Sequence, residues 1–349
     1  MKRILIIRTS AIGDIIMASP MLDALKKAYP SASVAWLAEP FAKDLLLCHP
    51  ALDHFLIWPK QEWKALLRQG RLVQFIKTVY RFKDQLNAYR FDLAIDAQGL
   101  FRSRALAYIS GAPQRLGLES KEPGRFLMTR VISRGTDRLK LSSEYAHLMR
   151  SLGIDVNGFF PRIYVSKGDR QEAHRLLRPL ENDSAPVVLC PFTTREQKHW
   201  LDDRWAELIA FIHSSLGRPV VMLGSQNDHR RSQRIAAQCS GQVLQLAGHT
   251  SLGQAAAVIE KAAAVIGVDT GLTHMGLALK RPTVALFGAT CPYLETGMDT
   301  VRIVYHPLTC SPCRRKPTCK GRFDCMKLIT VEQVAKTVVD LLDRSETKT

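Results

Sequence analysis

No stretch of the chain reaches the roughly 18 consecutive apolar residues that a membrane-spanning helix requires, so helical passage through a bilayer is excluded. Neither G-x-G-x-x-G nor G-x-x-x-x-G-K-[ST] occurs. The ordinary dinucleotide and P-loop ATPase readings therefore lose their main support, and any phosphate would have to bind at a plain helix N-terminus. Low-complexity tracts and short-period repeats are also missing. Negative charge is scarce: 32 Asp+Glu against 49 Lys+Arg leave a formal charge of +17. That imbalance implies an anionic partner, whether nucleic acid, an anionic membrane surface or a phosphorylated substrate, without implying a fold.

What is present is an ordinary globular composition, 46% hydrophobic and 23% charged over 349 residues. At about 100–200 residues per domain, this length favours two domains. Met1-Lys2-Arg3 followed by Ile4–Ile7 imitates a signal peptide, but Arg8 and Asp14 interrupt the apolar segment and no small-residue cleavage site follows. A cytoplasmic chain with its eight cysteines reduced is the expectation. Strand-like runs at Ile4–Ile7, Val34–Leu37, Phe55–Trp58 and Leu93–Asp96 alternate with helix-length segments. After Gly153–Pro161 and the charged Lys167–Arg178, the rhythm restarts at Val187–Cys190, Val220–Leu223, Val243–Leu246, Val265–Val268 and Thr283–Phe287. The helices between them read as Asp202–Ser215, Asp228–Cys239, Ser251–Ala262 and Leu272–Leu279. The expected architecture is α/β, with two Rossmann-like domains, residues 1–165 and 166–349, whose strand ends line a shared cleft.

Several segments put chemistry at those strand ends. In "RTSAIGDI", Asp14 follows the first strand, where a carboxylate can act as general base on a hydroxyl or can simply cap a helix. "CPFTTREQKHW" brings Thr193, Thr194, Arg195 and Lys198 after a strand, which suits a diphosphate or a solvated polar loop. "VIGVDTGLTHMGLAL" places Asp269, Thr270 and Gly271 before a helix bearing His274. Free amides there can hold phosphate oxygens while Asp269 accepts from sugar hydroxyls, or Asp269 is a cap and His274 a packed residue. Asp228, in "LGSQNDHRR", can bind a ribose. "FDLAIDAQGLFRSRALAY" sets Asp96, Gln98 and Gly99 at a strand end with Arg102 and Arg104 beyond, and Arg115, Lys121 and Arg125 add further positive charge that would attract an acceptor phosphate, or form a solvated face.

Between Lys60 and Arg90, eight Lys/Arg against two acids are interleaved with Trp63, Phe75, Tyr80, Phe82 and Tyr89. This pattern fits a surface lying on anionic lipid, a single-stranded nucleic-acid groove, or an ordinary helix with its aromatics in the core. Cys310, Cys313, Cys319 and Cys325 are close enough in sequence for a tetrahedral zinc site, although their spacing departs from paired C-x-x-C units; free thiols and labile disulfides are the other readings.

Taken together, "RTSAIGDI", "IDAQGL", "TTREQKHW" and "VDTGLTHMGLAL" resemble, in order and over essentially the whole chain, the ADP-heptose:lipopolysaccharide heptosyltransferases, glycosyltransferase family 9. "DAQGL" and "TTR-x-x-KHW" look more like type I members, which add the first heptose to Kdo of lipid A. Lys121 stands where the type I pattern carries Arg, and the Cys-rich tail looks more like type II. The resemblance implies a GT-B fold, an acceptor site in the first domain and an ADP-sugar site in the second, with inversion by direct displacement and no resident metal or other cofactor. It implies Asp14 as base and Lys198 on the leaving diphosphate. It further implies donor contacts from Thr193, Thr194, Asp228, Asp269, Thr270, Gly271 and His274, and acceptor contacts from Gly13, Gln98, Arg102 and Lys121. The implied partners are a nucleotide sugar and an anionic Kdo–lipid A acceptor at the cytoplasmic face of the inner membrane, with no nucleic acid. A transferase with another sugar or acceptor, a nucleic-acid-binding protein and an inactive sugar-nucleotide sensor are the competing readings.

Overall fold

The run Ile4–Ile7 is wholly buried because it lies between two parallel neighbours and is covered on both faces, the setting in which a strand is apolar throughout rather than alternating. The structure, a computed structural model, describes residues 2–137, 139–180, 184–239 and 241–346. It divides into two compact units, Met1–Asp137 with Ser142–Arg162, and Arg138–Leu141 with Ile163–Thr349. Nothing in the composition around residue 140 signals that short early excursion into the second unit.

The first unit holds β1 (Arg3–Ile7), β2 (Ser33–Ala38), β3 (His54–Ile57), β4 (Leu93–Asp96), β5 (Gln114–Leu118) and β6 (Arg130–Ile132), in the order β3-β2-β1-β4-β5-β6. The second holds β7 (Val187–Cys190), β8 (Val220–Met222), β9 (Val243–Gln245), β10 (Ala264–Val268), β11 (Thr283–Phe287) and β12 (Val301–Tyr305), in the order β12-β11-β10-β7-β8-β9. Counted within its own unit, each sheet has the doubly wound Rossmann order, and every paired strand is parallel. The order reverses between β1 and β4 in one unit and between β7 and β10 in the other. Ligands bind such sheets outside the carboxyl ends of the strands at that reversal.

Strands β5, β6 and β12 are absent from the sequence reading. β5 reads "QRLGL", with polar and glycine positions, and a Cβ at Gly117 would lie 3.0 Å from Met128 Cε, so the strand packs closely against that flexible side chain. β6 is three residues long, and β12, "VRIVY", is an edge strand buried mainly at two positions. Helix limits also shift: Asp202–Leu216 is capped by Leu201, so Asp202 falls in its first turn, whereas Ser251 does cap Leu252–Glu260 by accepting from Gln254 N.

Two features of the second core fix the segments that matter later. Trp200 packs edge-on against Trp205 with ring centroids 5.0 Å apart, and its indole donates to the Ile329 carbonyl, anchoring the loop two residues after Lys198. In β10, a Cβ on Gly267 would lie 2.2 Å from Thr273 Oγ1, 2.7 Å from Cys190 Cβ and 2.9 Å from the Cys190 carbonyl. Gly267→Ala is therefore expected to force β7 and β10 apart and to destabilise the protein by about 3 kcal/mol. Urea unfolding of the variant beside the wild type checks it, and a loss under about 1 kcal/mol would mean the strands yield more easily than close packing allows.

Candidate active site

Beyond β1 the chain turns into the helix Ile12–Ala18, and Asp14 is its third residue. Asp14 is thus not the N-cap, which is Ala11; its Oδ2 instead reaches back to accept from Ala11 N at 3.2 Å. The same oxygen pairs at 2.6 Å with Arg8 Nη2, while the Asp14 side chain remains 51% exposed. Arg8 itself is buried, donates from Nη1 to the Ala97 carbonyl, and lies 5.9 Å from the centroid of the Tyr145 ring. Burial opposes charge on Arg8, but Tyr145, Asp14 and Glu144 outweigh it and raise its hold on the proton. The result is an accessible carboxylate oriented by a fixed, buried cation.

The β1–β4 junction is tied at the same point. Thr9 donates from both N and Oγ1 to Gln98 Oε1, at 3.0 and 2.7 Å, and Arg134 bridges the Gln98 carbonyl to Glu144 Oε2. Gln98 is buried, so its visible task is to join the two strand ends beside Asp14. Gly13 is half-buried at the second helical position, and Arg102 and Lys121 are exposed.

Two other cations differ from the expectation of an open phosphate-attracting face. Arg104 is buried and donates to the carbonyls of Leu118, Glu122 and Pro123 and to Ser120 Oγ, and Arg115 donates to the carbonyls of Leu127 and Ala112. Irregular backbone leaving the sheet carries carbonyls that need donors, and these guanidinium groups supply them.

In the second unit the β7–β10 reversal brings together residues far apart in the chain. Lys198, at the end of the short 3₁₀ turn Glu196–Lys198, pairs at 2.6 Å with Asp269 Oδ2 just past β10, both side chains largely buried. Thr290 Oγ1 donates to the same oxygen at 2.5 Å, and His274 Nε2 stands 3.7 Å from Asp269 Oδ1 while its Nδ1 meets the Thr270 carbonyl. Burial pushes the Asp269 carboxyl up, but His274, Lys198 and Thr290 outweigh it and hold it below its ordinary value. Burial, with Asp269 alongside, holds the Tyr293 phenol well above its usual range; its ring lies 5.7 Å from that of His274.

Gly271 opens the helix Gly271–Ala278, whose N-cap Thr270 makes no side-chain capping bond. Its first-turn amides have no partner within the helix and face the strand-end side. Thr193 is half-buried and Thr194 exposed. Asp228 accepts at Oδ2 from Ser225 N and Ser225 Oγ, closing the turn before the helix His229–Ala236.

The sign of the Asp269 shift fixes a pH dependence. A carboxyl whose folded value is depressed adds stability above its unfolded value near 3.9, and this is lost as pH falls through the folded value. The stability difference between wild type and Asp269→Asn should therefore be largest near neutrality and shrink as pH falls below about 4. Urea titrations at several pH values check this, and a difference that grows on acidification would overturn it.

Arg8, Thr290, Tyr293 and Gln197 were not picked out by sequence. Gln197 Nε2 donates to the Arg314 carbonyl, and Arg314 N donates to the Ala289 carbonyl. The Cys-rich segment thus braces the two loops that carry Lys198 and Thr290. Among the described residues no group of three or more His, Cys, Asp or Glu is placed to hold a metal ion, so nothing in the structure carries the zinc reading of that segment, and the eight cysteines are free thiols rather than disulfides. Cys325 is buried in the short helix Asp324–Lys327, close to Gly288, whereas Cys310, Cys313 and Cys319 occupy the irregular loop. Burial, then the neighbouring thiols, push up the Cys325 and Cys313 thiols.

The model of glycosyltransferase family 9 (heptosyltransferase) matches residues 79–323. The chain is 27% identical over 303 residues to lipopolysaccharide heptosyltransferase 1 of Escherichia coli, covering 86% of this chain and 92% of that protein. It is 26% identical over 363 residues to lipopolysaccharide heptosyltransferase 2 of the same organism, covering 99% of each. The solved structure of the Escherichia coli ADP-heptose lps heptosyltransferase II matches with a TM-score of 0.76 at 25% identity, covering 99% of this chain and 100% of that one. The two Rossmann-like units are accordingly of the GT-B class. With a match that takes in Gln98 and the Lys198–Asp269 pair, the chain belongs to glycosyltransferase family 9, the heptosyltransferases.

Proposed function

We propose that the protein moves heptose from ADP-heptose to Kdo of the lipid A inner core in lipopolysaccharide assembly, with inversion at the anomeric carbon. The observation that carries this reading is the half-exposed Asp14 carboxylate, aimed by buried Arg8 at the carboxyl end of β1 in a member of this family. Asp14 takes the proton of the acceptor hydroxyl as its oxygen forms a bond to the anomeric carbon, and the bond from that carbon to the distal phosphate oxygen of ADP breaks. Lys198 and the free amides at Gly271–Thr273 neutralise the charge that grows on the departing diphosphate. Thr193 and Thr194 contact the diphosphate, Asp228 the ribose, and Asp269, Thr270 and His274 the donor sugar and its phosphate.

Gly13, Gln98, Arg102 and Lys121 border the acceptor, the two exposed cations meeting its anionic groups. The first unit is then the acceptor-binding domain and the second the nucleotide-sugar domain. Because the acceptor is lipid-anchored, the enzyme works at the cytoplasmic face of the inner membrane.

A second reading, addition of the next heptose, is favoured by the full-length match to heptosyltransferase 2, which includes the Cys-rich segment. ADP release is the discriminating measurement, with ADP-heptose as donor and either Kdo–lipid A or the same acceptor already bearing one heptose. Turnover on Kdo–lipid A supports the first reading, and turnover confined to the heptosylated acceptor supports the second. Turnover on neither overturns both.

A further inference from the structure

We infer that the outer face of the helix pair Lys60–Arg68 and Leu72–Asn87 docks on an anionic phospholipid bilayer, lying in its surface rather than crossing it. The pair is fixed from within: Trp63 meets Trp58, Phe75 and Phe82 edge-on, with centroids 6.2, 5.9 and 5.6 Å apart. Only Phe82 and Leu86 of the two helices are fully buried. The outer side carries Leu67, Leu72, Val73, Ile76 and Tyr80, between 47% and 68% exposed. Leu72, Ile76 and Tyr80 recur every fourth residue with Val73 beside them, so they form one stripe next to the packed row of Phe75, Val79, Phe82 and Leu86. Soluble surfaces rarely leave such an apolar row uncovered unless something binds it.

Charge identifies the occupant. The exposed cations Arg68, Arg71, Lys77, Arg81 and Lys83 border the stripe, and the Lys83 ammonium lies 6.0 Å from the Tyr80 ring centroid. Across residues 60–90, eight Lys/Arg face only Glu62 and Asp84. An apolar stripe with a cationic border matches the acyl boundary and headgroups of an anionic leaflet. A single-stranded nucleic acid would need a row of open rings. Here Trp63, Phe75 and Phe82 point inward and Tyr80 alone of these is exposed. No helix among the described residues is long and apolar enough to cross a membrane.

The position of the stripe in the fold is also suited to this. A helix of 16 residues extends about 24 Å, whereas β4, which follows it, spans about 13 Å. The packed second half of the helix covers the sheet and leads into β4, so the exposed first half stands at the carboxyl edge of the strands. Lys60, at the start of the pair, is held there by Glu39 just beyond β2, at 2.6 Å. That edge also carries Asp14.

The test needs neither donor nor acceptor, so it stands or falls separately from the transferase reading. The wild type is sedimented with vesicles of phosphatidylcholine alone and of phosphatidylcholine with phosphatidylglycerol, beside Val73→Asp/Ile76→Asp and Lys77→Glu/Lys83→Glu, after circular dichroism has confirmed their fold. Binding to the anionic vesicles is expected to exceed binding to neutral ones by about tenfold or more, and each double variant to lose about tenfold or more. Hydrogen exchange on the wild type, which needs no variant, should slow between residues 67 and 81 when anionic vesicles are added. Equal binding to both vesicle types, undiminished binding by Val73→Asp/Ile76→Asp, or protection confined to other segments would overturn the proposal. Vesicle-independent self-association that the apolar pair of substitutions abolishes would overturn it too, by assigning the stripe to a second copy of the chain.

Discussion

Asp14→Asn is expected to lower kcat by about 10²–10⁴-fold while leaving the KM for ADP-heptose nearly unchanged. Asparagine is close to isosteric, and its side-chain oxygen can still accept from Ala11 N. Arg8 keeps its bond to the Ala97 carbonyl and its place by the Tyr145 ring, so the turn should survive. What the substitution removes is the ability to take a proton when the acceptor oxygen attacks, a task that exists only on the way to the transition state. Steady-state ADP release, together with urea unfolding to confirm the fold, makes the comparison. A fall of less than about threefold would sink Asp14 as base, since positioned proton transfer contributes far more than that. A rise in KM with kcat intact would make Asp14 a binding group instead. Arg8→Lys provides a second reading of the same arrangement: it keeps the charge but cannot reach both Asp14 and the Ala97 carbonyl with one planar fork, so an intermediate loss is expected.

Much of this site could be read along the chain because each strand end is a local feature. Ile4–Ile7, Val187–Cys190 and Val265–Val268 are uniform apolar runs, so the polar residues after them stand out. The pairings could not be read this way. Arg8 looked like an interruption of an apolar segment, and only the three-dimensional structure shows that it is buried beneath Asp14. Lys198 and Asp269 meet because β7 and β10 are neighbours, a consequence of sheet order rather than of either motif. Thr290 enters from the end of the next strand, β11. Arg104 and Arg115 failed in the opposite sense, since a positive charge in the sequence carries no sign of the backbone carbonyls that will claim it. Among the aromatics of the Lys60–Arg90 segment, helical spacing sorts the packed Phe75 and Phe82 from the exposed Tyr80, but the inward turn of Trp63 depends on a partner, Trp58, in another element.

Lys198→Met should cost activity and stability by separable routes. Removing the cation next to the leaving diphosphate is expected to reduce kcat by about 10²–10³-fold, the range found for losing one preorganised group that meets developing charge. It also strips Asp269 of its closest cation at a site where both side chains are mostly buried, and breaking such a pair typically costs about 3–5 kcal/mol. Thr290 and His274 still contact Asp269, so the loss should fall at or below the lower end of that range. The double variant Lys198→Met/Asp269→Asn removes the uncompensated carboxylate and should recover most of the stability without recovering turnover. If turnover returned along with stability, Lys198 would be a structural counter-ion only. If neither returned, the 3₁₀ turn and the Trp200 anchor next to it would have shifted, which the Trp200 bond to the Ile329 carbonyl makes open to a direct check by hydrogen exchange. Because Asp269 itself contacts the donor sugar, Asp269→Asn alone is the control: activity loss in the stable double variant that exceeds the loss in Asp269→Asn by about tenfold or more is the result that assigns the Lys198 ammonium to the leaving group.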